Sequence, residues 1–135
     1  MAIRKASYYS MKLPQRPGAG AQVLAALKAA RVNLLAFTGF PAGGGAQVDF
    51  IPQDNAKFTQ AARKAKLKLS ARKTVFLARG DDKVGAVCRH IEKLAARGIS
   101  VIAADAVSAG RGRYGMILWV KPRDHSRAAK ALGAR

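Results

Sequence analysis

Few residues in this chain could do chemistry, and their spacing argues against most reactions. Cys88 and His90 stand two apart, so on a helix they point in different directions and cannot share a metal. His125 is the other histidine, and no serine–histidine–carboxylate set or carboxylate pair can be drawn from the seven acidic residues. The run Phe40–Gly45 is like a phosphate-cradling loop only in its glycines. It lacks a Lys-Ser/Thr pair and a following helix start, and reads as a hairpin turn. What remains is binding chemistry at Asp81-Asp82-Lys83-Val84-Gly85-Ala86, between a strand and a helix. A glycine there lets a ligand approach the backbone, and the first helical N–H groups, unpaired and at the positive dipole end, suit a carboxylate. Asp81 and Asp82 suit an ammonium. A small ligand carrying both charges would meet both. The counterpart Gln15-Arg16-Pro17-Gly18-Ala19 has the glycine but no acid, so the second turn is expected to bind better. The alternative reading of both glycines is close packing of helix on strand.

Other candidates carry weaker signals. Asn33 and Ser100 hold equivalent places at the start of a strand, where they either hydrogen-bond a ligand or serve as ordinary turn residues. Ala109-Gly110-Arg111-Gly112-Arg113 offers two guanidiniums to an anion or is a solvated turn. Lys57, Arg63, Lys64, Lys66, Lys68, Arg72 and Lys73 form the densest basic run, either a polyanion surface or a solvated face. Arg113-Tyr114-Gly115-Met116-Ile117-Leu118-Trp119 is a near miss to the base-stacking strand of RNA-recognition modules, with Met116 where an aromatic belongs. Met116, Leu118 and Trp119 read better as core or interface residues, and Cys88 as a small core residue.

The bulk numbers bound the class. At 135 residues with 50% hydrophobic content, the chain can bury one ordinary core or two small ones. One cysteine excludes an intrachain disulfide and fits the cytoplasm. No secretory core or membrane-length apolar run occurs. A formal net charge of +18 draws polyanions, so nucleic acid is a candidate partner.

The elements that position the turns come from a repeat. At an offset of 67, Gly18 meets Gly85, Leu24 meets Ile91, Leu27 meets Leu94, and Val32-Asn33-Leu34 meets Ile99-Ser100-Val101. After a three-residue insertion, Pro52-Gln53-Asp54 matches Pro122-Arg123-Asp124. Each copy predicts strand, helix, two strands and a second helix capped by Asp54 or Asp124. In the first copy these are Ser7–Leu13, a helix through Val23, Leu24 and Leu27, Asn33–Phe40, Ala46–Ile51, and a helix to about Leu67. A short fourth strand, Leu67–Ser70, follows. The second copy runs through Thr74–Arg79, a helix on Val87, Ile91, Leu94 and Ala95 ended by Gly98, then Ser100–Val107, Tyr114–Val120 and a last helix. It lacks the fourth strand. That leaves Thr74–Arg79 as an open edge, which the first copy or a second subunit should cover.

The two turns, Gln15–Leu24 with Val32-Asn33-Leu34 and Asp81–Val87 with Gly98–Val101, resemble the ACT-domain signature. The resemblance spans about Ser7 to Gly133 and is similar to tandem, stand-alone ACT regulatory proteins. It implies an α+β protein of two tandem ferredoxin-like βαββαβ units with antiparallel sheets, at 5–71 and 72–135, the second lacking its last strand. It also implies a small ligand, usually an amino acid, at an interface beside Asp82, Lys83, Val84, Gly85, Ala86 and Ser100, or Arg16, Pro17, Gly18, Ala19 and Asn33. The expected protein is a cytoplasmic, non-catalytic sensor without metal or cofactor, homodimeric, signalling to a protein in trans. An RNA-binding protein of the same fold and a pure assembly module are the alternatives.

Overall fold

The computed structural model describes Ala2–Arg135, in which six strands and four helices form an α+β chain. It divides into two compact units: Ser7–Lys73, and residues 2–6 together with Thr74–Arg135.

In the first unit, β1 (Ala2–Leu13), β2 (Leu34–Ala42) and β3 (Gly45–Pro52) lie in the order β2-β3-β1, antiparallel. Tyr9, Val48 and Phe50 turn one sheet face toward α1 (Ala19–Ala29) and α2 (Asn55–Lys64), which contribute Val23, Leu27 and Phe58 to a single core. Strand alternation supplies one half of that core and helical spacing the other. Phe50 stacks on Phe37 and Phe58 at 5.5 and 5.4 Å and is wholly buried. Asp54 caps α2 as its position predicts, accepting the Lys57 N–H at 3.0 Å. The short strand expected at Leu67–Ser70 does not form. α2 stops at Lys64, and one backbone bond, Ser70 N–H to Ser10 O at 2.8 Å, ties the segment to β1. Leu67 and Leu69 still pack on the core, so the apolar alternation is used without a ladder.

In the second unit the order is β5-β6-β4-β1, with β4 (Lys73–Asp81), β5 (Val101–Gly110) and β6 (Arg113–Val120). The fourth place belongs to the start of β1. Ile3 is buried in the same core as Phe76, Leu94, Leu118 and Leu132, and Ile3 and Lys5 exchange backbone bonds with Arg135. The edge of β4 is therefore covered within the chain, and the argument for a second subunit from that edge falls away. The sequence boundary at 5 did not anticipate this, because Arg4 and Lys5 interrupt the apolar alternation that marks the strand from Ser7.

α3 (Ala86–Ala95) buries Ala86, His90 and Leu94, an i, i+4, i+8 stripe, against this core. That stripe leaves Cys88 exposed, a correction to its reading as a core residue. Asp124 is also corrected. It ends a 3-10 turn, Pro122–Asp124, before α4 (His125–Leu132), makes no side-chain cap, and pairs with Arg127 at 3.1 Å instead. α1 and α3 close alike. Val32 and Ile99 donate to Leu27 and Leu94 five residues back, around Arg31 and Gly98 at positive φ.

His90 is fully buried in this unit. Its Nε2 lies 2.5 Å from the Tyr114 hydroxyl, and its Nδ1 has no hydrogen-bond partner. Burial, then Lys93 and Arg89, push its pKa below the ordinary value. The unfolded chain therefore takes up this proton first as pH falls, so stability should decline below about pH 6.5 toward the lower folded pKa. Urea melts of wild type and His90→Gln across that range check this. The variant should show a flatter dependence, and an unchanged slope would contradict the assignment.

Candidate ligand site at the strand-to-helix turns

Both turns are built the same way. Gly18 and Gly85 are the N-caps of α1 and α3, at φ +85 and +84. Ala19 N–H reaches Arg16 O at 3.3 Å, and Ala86 N–H reaches Lys83 O at 3.1 Å. A Cβ on either glycine would meet nothing within 4 Å, so positive φ, and not close packing, accounts for glycine at both places. Neither helix has a side-chain cap or an acid in its first turn. Ala19 and Ala86 are buried, while Arg16, Pro17, Gly18 and the stretch Asp82–Gly85 are exposed. Each turn thus offers solvent a helix start whose dipole no carboxylate of the chain satisfies.

The second turn has the richer chemistry. Asp82 donates its N–H to Gly112 O at 2.8 Å, and its Oδ2 accepts the Ser108 hydroxyl at 2.7 Å. Asp81 pairs with Arg113 at 2.7 Å. The β5–β6 hairpin therefore engages both carboxylates, neither of which caps α3, and Ser108 is the Asp82 partner that spacing alone did not reveal. Asp82 keeps acceptor capacity beyond the one hydroxyl. At the first turn Arg16 folds back locally, N–H to Pro14 O at 3.0 Å, with no acid present.

Asn33 and Ser100 lie elsewhere. Each follows the C-terminal end of the helix that its turn begins, and a ten-residue helix is about 15 Å long. No single unit gathers turn and junction residues round one small ligand. Asn33 instead lines a cleft of about 680 Å³ with Arg31, Gln53, Asp54 and Lys57, where its amide donates to Gln53 at 3.2 Å. In the second unit Arg79, Ala109, Arg113 and Gly115 line a groove of about 520 Å³, and the Arg113 guanidinium there is paired with Asp81.

Two chemistries lose support. Glu92, hydrogen-bonded to the Cys88 sulfur at 3.3 Å, pushes the thiol pKa up and so disfavours the thiolate nucleophile. Tyr114, Met116, Leu118 and Trp119 are all buried, so β6 offers no base-stacking platform.

No protein-family model and no curated protein matches this chain. Among solved structures it is similar to protein BT0572 from Bacteroides thetaiotaomicron, at 16% identity and TM-score 0.83 over 97% of this chain and 88% of that one. It is also similar to the ligand-free regulatory subunit of aspartate kinase from Thermus thermophilus, at 14% identity and TM-score 0.64, over 98% and 93%. The aspartokinase alpha and beta subunits match at 16% identity and TM-score 0.58, over 98% and 95%. The fold is ACT-like. At these identities the fold is what is shared.

Proposed function

We propose that this chain is a non-catalytic regulatory protein that binds a small amino-acid-like ligand at the Asp82–Ala86 turn. The observation that carries the reading is the pairing of opposite needs in one turn: an uncapped helix start for the ligand carboxylate, and Asp82, held by Ser108, for its ammonium. The fold shared with aspartate kinase regulatory subunits supports a regulatory role. Lys83, Val84 and Gly85 supply exposed backbone around the ligand, and the Arg16–Ala19 turn is the weaker counterpart. Ser100 and Asn33 contribute only to a ligand that reaches beyond one turn. A regulated protein in trans completes the signal, because a ligand shifts whichever arrangement it completes. A second copy fits along β5, an edge strand exposed from Ile102 to Gly110 with no Lys or Arg; sedimentation velocity reads that mass directly.

Asp82→Ala tests the site. Calorimetric titration with the amino acid that most stabilises the wild type should show affinity reduced about tenfold or more, the weight of one charge-assisted hydrogen bond. Ser108→Ala should cost less, since it loosens the carboxylate without removing it. Unchanged affinity in Asp82→Ala would overturn the assignment.

A further inference from the structure

The first unit carries eleven Lys or Arg against two Asp, and among the described residues neither acid makes an ion pair with them. Asp49 is buried, accepting from Ser10 and Gln47 at 2.8 and 3.1 Å, and Asp54 caps α2. The nineteen residues from Asn55 to Lys73 hold seven Lys or Arg and no acid, and all seven are exposed. Among the described residues, the ion pairs are Arg113–Asp81 and Arg127–Asp124, so none of the seven is paired.

Their placement is ordered. Lys57 and Lys64 are seven apart on one side of α2, flanking the face that buries Phe58, Ala61 and Ala62. Beyond the helix, Leu67 and Leu69 pack inward and leave Lys66 and Lys68 outward. Arg72 Nε donates to Ser7 Oγ at 2.7 Å, and Lys73 Nζ lies 5.5 Å over the Tyr8 ring and 3.4 Å from Ser10 Oγ. The last two are thus held against β1, which lowers the entropy lost on binding. An ordinary solvated face intersperses both signs, whereas this strip has one.

We propose that this strip, from α2 through Lys73, binds the phosphate backbone of a nucleic acid without reading its sequence. The chemistry is cation to phosphodiester, shared by RNA and DNA. Base readout is absent from the assignment because the strip presents ammonium and guanidinium groups and the β6 aromatics are buried. This surface is separate from the Asp82 turn and does not depend on that reading.

The test is fluorescence anisotropy of the full chain with labelled single-stranded RNA and double-stranded DNA of about 20 nucleotides, over roughly 50 to 200 mM salt. Two fourfold variants are compared, each confirmed folded by its melting curve. Lys57→Glu, Lys64→Glu, Lys66→Glu and Lys68→Glu together remove the strip. Lys28→Glu, Arg97→Glu, Arg123→Glu and Lys130→Glu together make the same charge change away from the strip. The strip variant should bind about tenfold or more weakly, with a shallower dependence of log affinity on log salt, while the other stays within about threefold of wild type. Tighter binding of one nucleic acid identifies the source of the phosphates. Equal losses in both variants would reduce the effect to net charge and overturn the proposal. Binding of heparin but neither nucleic acid would also overturn it.

Discussion

A chain lacking residues 2–6 is expected to lose the cooperative folding of Thr74–Arg135. Those five residues occupy the fourth place of that unit's sheet beside β4, and Ile3 lies in its core with Phe76, Leu94 and Leu118. Without them β4 regains an open edge, and a cavity opens where Ile3 was. Ile3→Ala isolates the packing part and should cost about 2 kcal/mol or more, the usual loss for a buried isoleucine. Hydrogen exchange at Val75, Phe76 and Leu77 reads the edge directly. In the intact chain these amides should be protected at every protein concentration, because the covering strand is intramolecular. Protection that persists after the deletion would show that β1 does not hold β4.

Phe50→Ala should be comparably damaging in the first unit. The ring is wholly buried and bridges Phe37 on β2 to Phe58 on α2, so its removal leaves a cavity in the middle of the sheet–helix contact. A loss of about 3–5 kcal/mol is expected, against a total stability of about 5–15 kcal/mol for a small domain. A urea melt with an early transition in the variant checks it. A loss below about 1 kcal/mol would mean that the core collapses round the gap, contrary to the packing described.

Both effects concern places where the sequence was only partly legible. The repeat was legible, because Gly18 and Gly85 need the same positive φ and recur at one offset, as do the paired helix closures at Leu27–Val32 and Leu94–Ile99. Asp54 was legible as a cap because its side chain reaches the backbone three residues on. Asp124 stands at the same position and makes no cap, since the 3-10 turn holds its backbone helical and Arg127 takes its carboxylate. On α3 the apolar residues Val87 and Ile91 suggested one stripe, but tertiary packing rotated the helix so that His90 went in and Cys88 out. A histidine enters the core at that position because Tyr114 offers a polar partner there, and that partner comes from a strand 24 residues away. The start of β1 was hidden for a related reason. Its apolar signal is one residue, Ile3, among basic neighbours, and its pairing partner is distant in sequence. At the candidate site, the turn geometry was legible and the clamp on Asp82 by Ser108 was not, because cross-strand register places that hydroxyl.

Thermal unfolding of the wild type against the common amino acids at millimolar concentration in moderate salt decides whether the proposed Asp82–Ala86 site binds one of them. A ligand at about 100 times its dissociation constant adds about 2.7 kcal/mol, which raises Tm by several degrees for a chain this size. Such a rise is expected with one amino acid or a few of related side chain, and it should be absent in Asp82→Ala. No rise with any of them would contradict it.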